Sequence, residues 1–154
     1  MEKYIGTKII EAVPAYRCKD SCGKTVITQS EEDAFTNYQV AEEGYRVRYP
    51  DGYESWSPKD VFEEAYRKTD DMNFGLAIEA VKKGEKVARK GWNGKNQYVQ
   101  LATNIRYMTF AKKIVNAEHS AIGNKALAFV GTSGIQLGWL ASQADMLADD
   151  WYIV

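Results

Sequence analysis

The chain has little of what most catalytic and metal-binding sites use, since it contains one histidine, His119, and two cysteines, Cys18 and Cys22. The cysteines lie in CKDSCGK, and a C-x3-C pair without a second pair makes a poor zinc site, so we expect two free thiols. His119 lies in NAEHSAIGNK, with no nucleophile elbow and no H-x-x-x-H spacing, and is expected to be a surface or structural residue. We therefore predict neither a metal site nor a bound cofactor.

An excess of one charge and a long apolar run are also absent. Twenty basic residues against 21 acidic ones give a formal charge of -1, which lacks the positive excess of proteins that grip long stretches of nucleic acid. The N-terminus MEKYIGTKIIEAV is too polar for a signal peptide, and no segment approaches the roughly 18 apolar residues of a membrane span. We expect a cytoplasmic protein with no membrane partner and no nucleic-acid partner, although a local patch could still bind a small anion.

Residues 1–70 have the pattern of a small β-hairpin and helix. In YRVRYPDGYESW, residues 45–56, apolar and basic residues alternate up to a Pro-Asp-Gly turn that returns the chain in a second strand. A helix is expected directly afterwards, with Ser57 as its cap, Pro58 in its first position and Asp60 at the capping-box position. The role of this module is not evident from its residues.

The rest of this first module is less regular. A strand around Thr7–Val13 would complete a three-stranded sheet, and the polar segment 17–37 is expected to be a loop. The string RKTDDMN is charged and has no apolar periodicity, so we place a domain boundary near Asp70 and Asp71.

Residues 71–154 predict a small antiparallel sheet with packed helices. Asn73 is a plausible N-cap for an apolar helix that ends at Gly84. EKVARK and QYVQLA have the pattern of short strands, and ALAFV and IQLGWL that of a hairpin closed by Gly-Thr-Ser-Gly. With the first module, this gives an α+β fold.

Two further elements are expected in this second part. A short helix can start at Ser142 and bury Met146 and Leu147, before WYIV ends the chain as a strand. The segment 105–125 is the least regular, with a helix possible through MTFAKKIV.

No pattern supplies a reactive set. A hydrolase needs a nucleophile with a base, paired carboxylates in a cleft, or a metal cluster. Asp145, Asp149 and Asp150 could hold a divalent ion, but helix surfaces routinely carry such acids. The GTSG of residues 131–134 lacks the GK[ST] of a phosphate loop, and a hairpin turn explains it better. The sequence therefore predicts a protein that is not an enzyme.

The stretch KGWNGK places Trp92 at the tip of a turn, and two interpretations are open. A tryptophan in a turn normally folds back to bury its ring, since leaving it in water forfeits roughly 2 to 3 kcal/mol. Alternatively, Gly91 and Gly94 let the backbone approach a ligand, the indole offers a flat surface for a base, and nearby cations contact phosphate.

Groups suited to ligand binding collect around this turn and near the C-terminus. Asp145 is informative among them, because phosphate repels a carboxylate, so an acid among cations indicates a ligand that also has ribose hydroxyls or an exocyclic amine. The set predicts a nucleotide ligand. It consists of two stacking surfaces, two cations and four hydrogen-bonding side chains, namely Trp92, Trp139, Arg89, Lys95, Asn93, Ser142, Gln143 and Asp145.

Two long strings carry a family resemblance. MNFGLAIEAVKKGEKVARKGWNGKNQYVQL, followed by GWLASQADMLADDWYIV, resembles the Thoeris anti-defense 2 family of phage domains over residues 72–154. ARKGWNGK and WLASQADMLADDW agree with the family in order, in spacing and in position relative to the ends of the domain. About 70 N-terminal residues and the segment 105–125 do not match the pattern of the short family members.

The resemblance implies a phage anti-defense sponge in the cytoplasm of the host cell. Such a protein is an α+β homo-oligomer, expected here as a tetramer, that sequesters cyclic nucleotide signals of bacterial immunity without degrading them. The implied ligands are glycocyclic ADP-ribose isomers and, for some members, cyclic dinucleotides. The family's ligand-binding character carries most directly to Trp92, and then to the segment Trp139–Asp145.

Two other functions remain open at the level of sequence. A phage module that binds or mimics nucleic acid is one, and the near-neutral charge argues against it. An enzyme that cleaves the signals is the other, and the missing nucleophile, base and metal set argues against it.

Overall fold

The computed structural model describes residue 2 and residues 7–38, 40–116 and 124–154. The chain divides into an N-terminal unit, Met1–Arg67, and a C-terminal unit, Lys68–Val154, close to the boundary expected at Asp70 and Asp71. Both units combine antiparallel sheets with helices, so the predicted α+β class is confirmed. In the described ranges no helix is long and apolar enough to cross a membrane. His119 lies outside them.

The N-terminal unit is built on a four-stranded antiparallel sheet in the order β2-β1-β3-β4. The expected hairpin is present as β3 and β4, and Ala15, Cys18, Ala34 and Val47 are buried in this unit. Its elements are β1 (Glu11–Lys19), β2 (Thr25–Thr28), α1 (Glu31–Asn37), β3 (Val40–Arg48), β4 (Glu54–Pro58) and α2 (Lys59–Ala65).

Two local predictions for this unit are wrong. The segment 17–37 is not a loop, because β1 begins at Glu11 and continues to Lys19, and β2 and α1 follow. Ser30 caps α1 by accepting a hydrogen bond from the amide of Asp33. Serine is a common N-cap, but in such a polar segment it does not stand out from the residues around it. Pro58, not Ser57, is the N-cap of α2, since β4 continues to that residue.

The C-terminal unit has a five-stranded antiparallel sheet in the order β10-β9-β6-β5-β11 and a separate two-stranded sheet of β7 and β8. The predicted strands on either side of the tryptophan turn and the predicted second hairpin are all present. Its elements are α3 (Phe74–Lys82), β5 (Val87–Arg89), β6 (Tyr98–Thr103), β7 (Arg106–Met108), β8 (Ile114–Asn116), β9 (Lys125–Gly131), β10 (Gly134–Leu137), α4 (Gln143–Met146) and β11 (Trp151–Ile153).

Helix α3 has the N-cap and the C-terminal glycine that the sequence predicts. The side chain of Asn73 accepts a hydrogen bond from the amide of Leu76, and Gly84 ends the helix with a φ of 98°, a conformation that glycine adopts without strain. The buried face of α3 carries Ala77, Ala80 and Val81. It belongs to one core cluster with Met72, Val87, Val99 and Trp151.

Two other local predictions are wrong in this unit. MTFAKKIV does not form a helix, because its residues belong to the hairpin of β7 and β8, whose turn places Lys112 at a φ of 60°. Helix α4 does start after Ser142, but Leu147 is 79% exposed and Met146 is also exposed. The buried residue of this helix is Asp145, because the core offers it charged and polar partners.

The two edges of the five-stranded sheet differ. Along β11, Met72 and Trp151 exchange backbone hydrogen bonds, and the amide of Ile153 donates to the carbonyl oxygen of Thr69. Along β10, Gly134 pairs with Gly131 across a two-residue turn, so the alternation of an antiparallel ladder directs the backbone groups of Ile135 and Leu137 away from β9. Residues 69–72 therefore cover one edge, whereas β10 has no further strand partner among the described residues.

Candidate ligand-binding site

The tryptophan turn joins β5 to β6 and is anchored by Asp150. The amide of Gly91 donates to Oδ2 of Asp150 at 2.9 Å, and the amide of Lys90 donates to its carbonyl oxygen at 3.2 Å. A Cβ atom on residue 91 would lie 3.0 Å from that same Oδ2. Gly91 thus keeps the turn close to the segment that precedes β11.

Asp145 is the hydrogen-bonding centre of the site. Its Oδ1 accepts from Nη1 of Arg89 at 2.9 Å and from the indole Nε1 of Trp92 at 3.0 Å. Its Oδ2 accepts from the backbone amide of Ser142 at 3.0 Å and from the hydroxyl of Ser142 at 2.7 Å. The residue is only 9% exposed, so it fixes the indole, the guanidinium and the start of α4 relative to one another.

The charges of this network are set by its hydrogen bonds. Burial alone would raise the pKa of Asp145, but hydrogen bonds from Ser142, Arg89 and Trp92 outweigh it and lower the pKa to about 2. Oδ1 of Asp150 accepts a hydrogen bond from Nε of Arg89 at 2.8 Å, and this hydrogen bond lowers the pKa of Asp150 as well. Both carboxylates are therefore ionised at neutral pH, with Arg89 bridging them.

Aromatic rings surround the indole of Trp92. Its centroid lies 5.4 Å from Phe129, 6.0 Å from Trp139 and 5.4 Å from Trp151, each in an edge-to-face arrangement. The rings of Phe129 and Trp139 are nearly parallel, with an interplanar angle of 18°. A cavity of about 340 Å³ opens beside these rings and is lined by Trp92, Asn93, Gly94, Gln97, Phe129, Trp139 and Asp145. We call it the aromatic cavity.

A second cavity of about 380 Å³ adjoins the aromatic cavity, and Trp92, Gly94 and Gln97 line both. We call it the polar cavity, because its other lining residues all carry a polar or charged group, namely Asp70, Arg89, Lys90, Asn96 and Tyr152.

Half of the residues predicted as ligand contacts line the aromatic cavity, namely Trp92, Asn93, Trp139 and Asp145. Arg89 lines the polar cavity. Lys95 is exposed on the turn, and Ser142 and Gln143 are exposed at the start of α4 without lining either cavity. Direct ligand contact by any of these residues stays a prediction.

Gln97, Phe129 and Tyr152 also line the cavities, although no motif in the sequence marks them as site residues. The proximity of Gln97 to the tryptophan turn was the one available signal. Phe129 and Tyr152 reach the site through strand pairing, which leaves no local trace in the sequence.

The two interpretations of Trp92 do not exclude each other. The ring is half-buried and packs against the core cluster, which is the structural role, and it also lines the aromatic cavity. Asp145 is different, since each of its carboxylate oxygens already accepts two hydrogen bonds from the protein. Its effect on a ligand would therefore act through the positions of Trp92 and Arg89.

The described part of the chain holds no group of three His, Cys, Asp or Glu side chains placed to bind a metal ion. The C-terminal unit is thus a small α+β domain built around an aromatic cavity with a hydrogen-bonded charge network behind it.

Residues 72–154 match the family model of the Thoeris anti-defense 2-like domain. A protein of Bacillus phage SP01 named Thoeris anti-defense 2 is 36% identical over 89 residues, which cover 54% of this chain and 94% of the phage protein. The chain belongs to the Thoeris anti-defense 2 family, as the resemblance predicts, and this is a family of phage proteins that act against the Thoeris defense system.

Proposed function

We propose that the protein captures a cyclic nucleotide signal of Thoeris immunity in the aromatic cavity and holds it uncleaved in the cytoplasm of the host cell. The ligand is a glycocyclic ADP-ribose isomer or a cyclic dinucleotide. The observation that carries the proposal is the indole of Trp92, which Asp145 holds beside Phe129 and Trp139 at the wall of this cavity. Capture resides in the C-terminal unit, which contains the whole of the cavity.

The shape and lining of the two cavities suit a nucleotide. Stacking of a base on an aromatic side chain is worth about 1 to 3 kcal/mol, and the aromatic cavity offers three rings for it. The polar cavity adds the ammonium group of Lys90, which is half-exposed and whose ion pair with Asp71 is long, at 3.8 Å. This group can contact a phosphate, while the carboxylate of Asp70 in the same lining favours a hydroxyl or amino group of the ligand. Adjacent aromatic and polar cavities match a ligand with a base at one end and phosphates at the other.

Sequestration without cleavage is supported by the state of the two carboxylates. A general base must accept a proton near neutral pH, whereas the pKa of Asp145 is about 2 and its oxygens are fully occupied. Asp150 already accepts hydrogen bonds from Arg89 and from the amide of Gly91. These acids position the site and are poorly suited to hydrolysis.

The test is binding to a panel of glycocyclic ADP-ribose isomers, cyclic dinucleotides, linear ADP-ribose and oligonucleotides. We expect a cyclic nucleotide to raise the melting temperature, because a ligand at 100 times its dissociation constant adds about 2.7 kcal/mol to stability. Heat denaturation should then release the ligand unchanged, as judged by mass spectrometry. Altered product would indicate an enzyme, and binding only to oligonucleotides with steep salt dependence would indicate a nucleic-acid module.

We also propose that the protein is a homo-oligomer, expected as a tetramer, and that the edge of β10 is one of its interfaces. Ile135 and Leu137 are 67% and 51% exposed on this strand, and Leu140 just beyond it is also exposed. An exposed apolar edge strand readily pairs with another strand, and a second copy of β10 in antiparallel orientation would satisfy the backbone groups of Ile135 and Leu137.

A double variant with lysine at both Ile135 and Leu137 is expected to shift the assembly toward smaller species, down to the 17.4 kDa monomer, because charged side chains on an edge strand oppose pairing. Native mass spectrometry or light scattering measures the shift. Val61→Lys is the matched control, since Val61 is an exposed apolar residue of α2 in the N-terminal unit. A monomeric parent protein, or a double variant that assembles like the parent, would contradict the proposal.

A further inference from the structure

Gln97 lies where the aromatic cavity and the polar cavity meet, and it lines both. Its terminal amide occupies the space that a Cβ atom on residue 94 would fill, so glycine is needed there. On another side, a Cβ atom on Gly131 would lie 3.6 Å from Nε2 of Gln97. Two glycines thus leave the space in which this amide group lies.

The amide of Gln97 has hydrogen-bonding capacity to spare. No hydrogen bond joins either of its polar atoms to another residue of the described ranges, although the side chain is half-buried. No described side-chain nitrogen or oxygen is both fully buried and without a partner, so the amide atoms reach the open space of the cavities. A donor and an acceptor therefore lie side by side next to the rings of Trp92 and Phe129.

An amide beside a stacking surface matches one purine in particular. On its Hoogsteen edge, adenine presents the N6 amino donor beside the N7 acceptor, and a glutamine amide pairs with both at once. Guanine and hypoxanthine present two acceptors at these positions, O6 and N7, and the carbonyl oxygen of the amide would then face another acceptor.

From this geometry we infer that Gln97 reads the Hoogsteen edge of an adenine base stacked in the aromatic cavity, and so makes the protein selective for adenine over hypoxanthine and guanine. This inference rests on the proposed function, and it names the base that the site selects. Trp92 holds the plane of the base, while Gln97 identifies its edge.

The experiment measures dissociation constants of the full-length protein for one glycocyclic ADP-ribose isomer and for its hypoxanthine counterpart. Cyclic di-AMP and cyclic di-GMP form a second pair. We expect the parent to prefer the adenine ligand by on the order of 10- to 100-fold, the range for one bidentate amide contact. Gln97→Met keeps the length of the side chain without its amide, and it should lose this preference while its affinity for the hypoxanthine ligand changes little.

Gln100→Met is the control, because Gln100 lies on β6 and lines neither cavity. It should retain the preference of the parent, and melting curves without ligand verify that both variants are folded. A parent that binds both purines equally overturns the inference and leaves the proposed function standing. The same holds for a folded Gln97→Met variant that loses both ligands to the same extent. A parent that binds none of the cyclic nucleotides overturns both.

Discussion

Replacing Asp145 with alanine is expected to lower the free energy of unfolding of the C-terminal unit by about 3 to 5 kcal/mol. The change removes four hydrogen bonds at once and leaves the guanidinium of Arg89 with Asp150 alone. The indole N–H of Trp92 and the amide of Ser142 lose their acceptor as well. Urea denaturation followed by tryptophan fluorescence measures the loss, since Trp92, Trp139 and Trp151 all lie in this unit.

The control for Asp145 is Asp149→Ala, which removes an exposed carboxylate from the same segment and should change stability by no more than about 0.5 kcal/mol. Acid provides a second readout. The pKa of Asp145 falls from 3.8 to about 2 on folding, so its contribution is full above pH 4 and disappears as the pH falls through 2. Between these pH values the parent should lose about 2 kcal/mol of folding stability because Asp145 becomes protonated. The Asp145→Ala variant has no carboxylate at this position, so its loss of stability should be smaller by that amount. If the Asp145→Ala and Asp149→Ala variants are equally stable, the hydrogen bonds of Asp145 do not stabilise the unit as proposed.

Replacing Trp92 with alanine is expected to weaken both ligand binding and folding. Loss of a stacking ring should reduce affinity by on the order of 10- to 100-fold, because each stacked base is worth about 1 to 3 kcal/mol. A ring that served only as a stacking surface would contribute little to folding. The packing of the ring against Phe129, Trp139 and Trp151 indicates instead a loss of about 3 to 5 kcal/mol. Calorimetry at a temperature where the variant is still folded separates the two effects.

Two further variants complete this test. Trp92→Phe keeps a ring for stacking but has no N–H for Asp145, so it should retain most of the affinity while melting below the parent. Trp151→Phe alters a fully buried ring that lines neither cavity, so it should cost stability and leave the affinity of the folded protein unchanged. If folded Trp92→Ala binds as tightly as the parent, the ring is a core residue only and the aromatic cavity is not the ligand site.

The sequence correctly predicted the elements that depend on nearby residues, such as helix caps and tight turns. Asn73 caps α3, the Gly131–Gly134 turn closes the hairpin of β9 and β10, and Ser142 caps α4. The missed elements are short, such as the four residues of β2, or depend on distant partners. Burial of Asp145 in place of Met146 could not be predicted, because its partners Arg89 and Trp92 lie more than 50 positions away in the chain.

The sequence predicted which residues lie at the candidate site better than it predicted what each of them does there. Composition and family pattern together selected Trp92, Asn93, Trp139 and Asp145, and these four line one cavity. The sequence treated Asp145 as a group facing the ligand, whereas the fold surrounds it with protein donors. Tertiary contacts decide which side chains face a cavity. Such contacts leave no periodic pattern in the sequence.

The closed edge of β11 determines where the C-terminal unit can be cut from the rest of the chain. The family match begins at Met72, but the carbonyl oxygen of Thr69 accepts the amide of Ile153, and Met72 itself is the outer partner of Trp151. A fragment that starts at Met72 would expose the last strand to pairing with foreign chains. A fragment of the C-terminal unit that keeps both of these contacts therefore begins at Lys68, where the unit itself begins.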